Sequence, residues 1–107
     1  MQAWLLLAAA ILLEVAGTTS MKFSEGFTRA LPTGLIFVFY ACSFAALTLA
    51  LKKLDLSIAY AIWAGIGTVL ITLIGFLYFG EQATLLKAAC IALIVIGVVG
   101  LNYATNA

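Results

Sequence analysis

Residues 3–21 read AWLLLAAAILLEVAGTTSM, nineteen positions that hold a single charged side chain, Glu14. A helix that crosses the hydrocarbon core of a bilayer needs about 20 residues, so this run is one crossing. Three more follow, at residues 33–51, 57–79 and 85–103, and charged or turn-forming residues cluster at each break between them. The first break carries Lys22, Glu25, Gly26 and Arg29, and Pro32 after it suits the first turn of a new helix. Lys52, Lys53 and Asp55 mark the second, where Asp55 or Ser57 can cap the next helix. Gly80, Glu81 and Gln82 mark the third; Gly80 suits a helix C-terminus and Thr84 the following N-cap. The runs are continuously apolar and do not alternate with period two, which disfavours a closed β-barrel. The expected fold is an all-α integral membrane protein of four transmembrane helices in a single transmembrane domain, 1–107.

The composition of the chain agrees. Its 107 residues are 66% hydrophobic and 8% charged, with a mean hydropathy of +1.26, whereas soluble domains carry about 25% charged residues. Four crossings consume about 80 residues, which leaves no room for a separate soluble domain. There is no His, and the two Cys, Cys42 and Cys90, lie inside apolar runs. No cluster has the spacing of metal ligands, so no metal site, cofactor or enzyme activity is expected. Thiols in such surroundings behave as small hydrophobes, so no disulfide is expected either. The net charge of +1 includes no basic block, which argues against a nucleic-acid partner. The N-terminal run lacks a basic flank and is interrupted by Glu14, so it reads as a crossing rather than a cleaved signal peptide.

Lys and Arg near the membrane normally fix which way a chain inserts. Here they balance. Lys22, Arg29 and Lys87 fall on one side, and Lys52, Lys53 and the N-terminal amine on the other. The balance predicts dual topology, with oppositely inserted copies pairing head to tail. The alternative is a fixed orientation set by a signal that charge counting misses.

Glu14 lies roughly 3 Å along the axis from the middle of the first span. A charge there costs about 2.5 to 3.5 kcal/mol on insertion scales, so such residues usually face a cavity and mark an ion or proton path. The carboxyl can hold a proton or an organic cation. The competing reading is a protonated carboxyl that serves as hydrogen-bonded glue between helices. Steps of three and four from Glu14 gather Leu7, Ala10, Ile11, Gly17, Thr18 and Met21 on one face. Ala10, Gly17 and Thr18 leave space beside the carboxyl or admit a neighbouring helix, and Thr18 can donate a hydrogen bond to it. In the third span, Tyr60, Trp63 and Gly67 share a face. Aromatic rings attract organic cations, each for about 0.5 to 2 kcal/mol. Trp63 lies about 9 Å from the start of its span, deeper than an interfacial anchor should be. Tyr60 is nearer the edge. Tyr40 and Ser43 share a face of the second span and are candidates for further contacts. Gly65 and Gly67, on roughly opposite sides of the third helix, suit either a hinge or close packing. Gly97, Gly100, Leu93, Ile94 and Val98 make a small-residue seam in the fourth span, suited to dimer contact.

These residues resemble the small multidrug resistance transporters over nearly the whole chain. The pieces that carry the resemblance are Glu14-Val15 followed by Gly17-Thr18-Thr19-Ser20-Met21-Lys22, the loop Phe23-Ser24-Glu25-Gly26-Phe27-Thr28-Arg29, and Ala59-Tyr60-Ala61-Ile62-Trp63 with Gly65 and Gly67. The resemblance implies an antiparallel homodimer in the inner (plasma) membrane that exports small organic cations in exchange for protons, driven by the proton gradient. It implies that Glu14 is the carboxyl shared by proton and substrate, that Tyr60 and Trp63 are aromatic substrate contacts, and that Gly65 and Gly67 form a bend. It also implies that Leu93, Ile94, Gly97 and Val98 belong to the dimer seam. The guanidinium-exporting branch typically has a Trp three residues after the carboxylate; Gly17 followed by Thr18 is similar to the multidrug branch instead. Two positions depart from the family pattern: Cys90 where a small Gly is common, and Ala64 where a hydroxyl residue often stands beside the Trp. A guanidinium or polyamine exporter, a small channel and a structural subunit of a membrane complex are the other readings.

Overall fold

The computed structural model describes residues 1–106, with side chains to residue 105. Four helices follow in order: α1 (Gln2–Phe23), α2 (Ala30–Ala50), α3 (Leu56–Tyr78) and α4 (Leu85–Asn106). All four are long and apolar enough to cross a membrane, and no strand occurs among the described residues. The protein is a multi-pass membrane protein. The helix ends fall within three residues of the expected spans.

Two ends depart by three residues: α4 runs on to Asn106, and α2 begins at Ala30 and so takes in Pro32 as its third residue. The first amides of a helix have no partner inside it, so a proline is tolerated there. The first helical bond of α2 runs from the Thr33 amide to the Arg29 carbonyl, 3.1 Å. The C-terminal end of α3 follows expectation. Gly80 stands just beyond it at φ +67°, and the Phe79 and Glu81 amides both donate to the Gly75 carbonyl at 3.2 and 3.0 Å. Thr84 then caps α4 by accepting the Lys87 amide on Oγ1 at 3.1 Å. Lys87 Nζ donates to the Gln82 carbonyl at 2.7 Å and lies 5.9 Å from the centre of the Phe76 ring. Asp55 is the N-cap of α3 by position, but its side chain makes no capping bond.

The chain divides into two compact units, Met1–Leu54 and Asp55–Ala107. The first is the α1–α2 hairpin. Its interior holds Leu7, Ala10, Ile11, Val15 and Gly17 from α1, and Ile36, Ser43 and Ala50 from α2. The three α2 positions recur every seven residues, two helical turns, and so form one stripe along the helix. Small residues at such a seam let the backbones approach, and in lipid it is this close packing that holds helices together.

The turn of this hairpin is built on Ser24, which is buried. Its carbonyl accepts the Thr28 and Arg29 amides at 2.9 and 3.1 Å. Its hydroxyl donates to the Met21 carbonyl at 2.7 Å and accepts the Phe27 amide at 3.2 Å. Glu25, Gly26 and Phe27 all take positive φ, at 50°, 72° and 69°. The left-handed region is unfavourable for Glu25 and Phe27, and the bonds gathered on Ser24 offset that cost.

The second unit is the α3–α4 hairpin. Ile58, Ala59, Gly65, Gly67 and Gly75 are the buried residues of α3. None of the residues in the apolar window of α4 is buried within the chain.

Candidate functional site

Glu14 sits in the middle of α1, partly buried, one turn before Thr18. Helical spacing puts the two side chains on one face, and the Thr18 hydroxyl donates to Glu14 Oε1 at 2.9 Å. Thr18 Oγ1 is in turn hydrogen-bonded to the Tyr40 hydroxyl of α2. Met21 lies close by, with its Sδ 3.9 Å from the Tyr40 oxygen. Glu14, Thr18, Tyr40 and Met21 therefore form one continuous run across the α1–α2 seam.

Gly17 makes that crossing possible. A β-carbon on Gly17 would stand 3.0 Å from both Cδ2 and Cε2 of Tyr40 and 3.4 Å from Cβ of Phe39. With hydrogen alone at this position, the phenol ring lies against α1 and its hydroxyl reaches Thr18. Phe44, one turn after Tyr40, lies beside the phenol at a ring-centre separation of 5.8 Å, with the two planes tilted by 35°.

The remaining candidates of this hairpin fall deeper. Leu7 is 1% exposed, and Ala10 and Ser43 have no exposed surface. The Ser43 hydroxyl donates to the Ala10 carbonyl at 2.6 Å, a bond that fastens α2 to α1 one turn from Glu14. All three are buried inside the α1–α2 hairpin and present almost no surface to a ligand there.

In the second hairpin, Tyr60 and Trp63 meet edge to face, with ring centres 5.5 Å apart and planes at 74°. Trp63 is half-buried and its indole Nε1 is buried, whereas Tyr60 is 59% exposed and borders a shallow depression with Leu56, Ser57 and Ala61. α3 continues as a helix through Gly65 and Gly67, both buried. Gly65 is where α4 docks: a β-carbon there would lie 2.6 Å from Cγ2 of Val98 and 3.6 Å from Cγ2 of Ile94. The seam residues of α4 are thereby divided. Ile94 and Val98 turn toward α3, while Leu93 is exposed and nothing lies within 4 Å of a β-carbon on Gly97.

Met21, Phe39 and Phe44 complete the surroundings of Tyr40 and did not stand out in the sequence as site residues. Phe44 had a signal, being four residues from Tyr40 on the same helical face. Met21 shares the Glu14 face, but an apolar residue at such a position in a membrane helix carries no mark of a polar contact. No group of His, Cys, Asp or Glu among the described residues has the arrangement of a metal site.

Residues 2–94, a stretch that includes every residue just described except Gly97 and Val98, match the model of a family described as Small Multidrug Resistance protein. The chain belongs to the small multidrug resistance family. It is similar to the multidrug resistance protein EbrB of Bacillus atrophaeus, 46% identical over 102 residues, which cover 95% of this chain and 87% of EbrB. The quaternary ammonium compound-resistance protein QacE of Escherichia coli is 40% identical over 107 residues, covering 100% of this chain and 97% of QacE. The membrane protein YvaE of Bacillus subtilis, described as uncharacterized, is 54% identical over 99 residues, covering 92% and 83%. EbrB is named for multidrug resistance and QacE for resistance to quaternary ammonium compounds.

Proposed function

We propose that the protein is a proton-coupled antiporter of the plasma membrane that exports lipophilic and quaternary ammonium cations, with proton and substrate competing for Glu14. The observation that carries this reading is the placement of Glu14, a lone carboxyl mid-way along a membrane helix and bonded to the Thr18 hydroxyl. A membrane-embedded carboxyl is costly and, as a rule, marks an ion or proton path. The relatives named for quaternary ammonium compounds and for multidrug resistance support the substrate class.

A quaternary cation has no hydrogen to donate, so it is recognised by charge and by aromatic faces. Glu14 supplies the charge. Tyr40 supplies a face in the α1–α2 hairpin, and Tyr60 and Trp63 supply faces in the α3–α4 hairpin; Gly17 and Thr18 give the space and a hydroxyl beside Glu14, and Leu7, Ala10 and Ser43 the packing of the same hairpin. A proton on Glu14 removes the charge that holds the cation, so entry of one expels the other. Four helices are too few to enclose a substrate and gate it from both sides. Two copies in antiparallel arrangement supply both halves, as inverted repeats do in larger transporters. Leu93 and Gly97 remain open to a second copy, Ile94 and Val98 shape the same helix, and Gly65 and Gly67 are the hinge of α3 when the two states exchange.

The test is uptake of a quaternary aromatic cation into liposomes that contain the purified protein under an imposed pH gradient. Gradient-driven uptake is expected for the parent chain and none for Glu14→Gln, with the dimer still assembled. Coupled uptake that survives Glu14→Gln would remove Glu14 from this role.

A further inference from the structure

The run of polar atoms from Glu14 to Met21 has fewer hydrogens than contacts. Thr18 and Tyr40 carry one hydroxyl hydrogen each. When Glu14 is ionised it can only accept, so Thr18 donates to it across 2.9 Å and Tyr40 must donate to Thr18. Met21 Sδ then receives nothing. When Glu14 is protonated its O–H can donate to Thr18, Thr18 to Tyr40, and the Tyr40 hydrogen is released toward Met21 Sδ, 3.9 Å away and a weak acceptor. The two settings differ by the proton on Glu14 and by rotation of the two hydroxyl hydrogens, and they require no movement of a helix.

We propose that this run is a relay through which the protonation state of Glu14 on α1 sets the hydrogen-bonding state of Tyr40 on α2, with Thr18 as the connecting residue and Met21 as the terminal acceptor. The relay rests on the reading of Glu14 as the carboxyl shared by proton and cation, and it adds a consequence. In the ionised setting the lone pairs of the Tyr40 oxygen are uncommitted and the ring is anchored, which suits a cation. In the protonated setting that oxygen accepts from Thr18 and is less able to attract one. Loss of the Glu14 charge and loss of the Tyr40 contact then happen together, which sharpens the exchange of cation for proton. Thr18 acts in this as a positioning residue, and Tyr40 as the contact it controls.

No other charge within the hairpin stands in for Glu14. α2 has no charged side chain, and its other titratable group, Cys42, is exposed. Lys22 is exposed in the last turn of α1, Glu25 and Arg29 are exposed in the turn, and the N-terminus, Lys52 and Lys53 lie at the opposite end. The phenol ring also lies close against Gly17, 3.0 Å from where a β-carbon would stand, so the approach of the two helices does not depend on the hydroxyls alone.

The experiment is a pH titration of the full chain in lipid bilayers, with 13C labels on the Glu carboxyl and Tyr Cζ carbons assigned by Glu14→Gln and Tyr40→Phe. Binding of benzyltrimethylammonium is followed in the same samples. The Tyr40 signal is expected to shift with the Glu14 midpoint, to lose that shift in Thr18→Val, and to regain it in Thr18→Ser. A Tyr40 signal that stays fixed while Glu14 titrates overturns the relay and leaves the role of Glu14 intact. A shift that persists in Thr18→Val also overturns it, because the coupling then bypasses the hydroxyl. If protons and benzyltrimethylammonium do not compete, the antiporter reading fails and the relay fails with it.

Discussion

Val98 of α4 closes directly over Gly65 of α3, leaving so little room that a β-carbon on Gly65 would stand 2.6 Å from Val98 Cγ2. The obstacle is a methyl on a β-branched side chain, which is stiff at χ1 and turns aside only at a cost. Gly65→Ala should therefore destabilise the α3–α4 hairpin by about 1 to 3 kcal/mol. Val98→Ala in the same chain should recover much of that loss, because the two positions are in contact and couple. Thermal unfolding of the two single variants and the double variant in detergent measures this, and additive losses would show that the two residues do not meet.

Ser43 spends its one hydrogen on the Ala10 carbonyl at 2.6 Å, inside the α1–α2 hairpin. Ser43→Ala should cost about 0.5 to 1.5 kcal/mol of stability, since the carbonyl keeps its own helical partner and no buried donor is left stranded. Ser43→Leu should cost more, because Ser43 is fully buried and a larger side chain must displace its neighbours. Chemical denaturation of the purified protein compares the two, and a Leu variant as stable as the Ala variant would mean that the seam opens freely.

Gly80 ends the α3 turn at φ +67°. Gly80→Ala forces a β-carbon into the left-handed region at a cost of about 1 to 2 kcal/mol, and Gly80→Asn should cost less because Asn tolerates that conformation. No other atom lies within 4 Å of a β-carbon there, so the whole effect is conformational. Equal losses for Ala and Asn in a thermal scan would point to a steric cause instead.

Trp63 presents a half-buried indole supported edge-on by Tyr60. If it faces the cation, Trp63→Ala should weaken binding of planar aromatic cations by about 0.5 to 2 kcal/mol, roughly 2- to 30-fold. Titration calorimetry with one aromatic and one small saturated quaternary cation provides the comparison. Unchanged affinity for both would leave Trp63 a packing residue.

Lower pH should weaken cation binding, because a proton on Glu14 removes the charge that attracts the cation. Affinity measured from acid to alkaline pH is expected to rise in the parent chain and to stay flat and low in Glu14→Gln. A parallel rise in the variant would assign the pH dependence to another group.

The four crossings were legible because lipid imposes one requirement on every segment: the backbone must satisfy its own hydrogen bonds and the side chains must be apolar over about 20 residues. Composition and spacing record that requirement directly, and so do the helix-ending Gly80 and the Thr84 cap. Glu14 was legible for the inverse reason, as the exception that the same solvent penalises. The first loop was legible as a break but not in its geometry, because left-handed Glu25 and Phe27 break the local preference of their residue types and depend on bonds to Ser24.

By itself, then, the sequence determined the number of helices, their ends to within a turn, and the one carboxyl that lies in the interior of a crossing. Tertiary structure decided which neighbours those residues meet. That Thr18 reaches across to Tyr40, that the phenol rests on Gly17, and that Ile94 and Val98 turn inward while Leu93 and Gly97 stay open all follow from the rotation of one helix against another. Rotation is set by the summed fit of many small contacts in a solvent as apolar as the side chains themselves. No periodic pattern of polar and apolar residues marks the inner face of such a helix, so the pairing becomes visible only once the helices are packed.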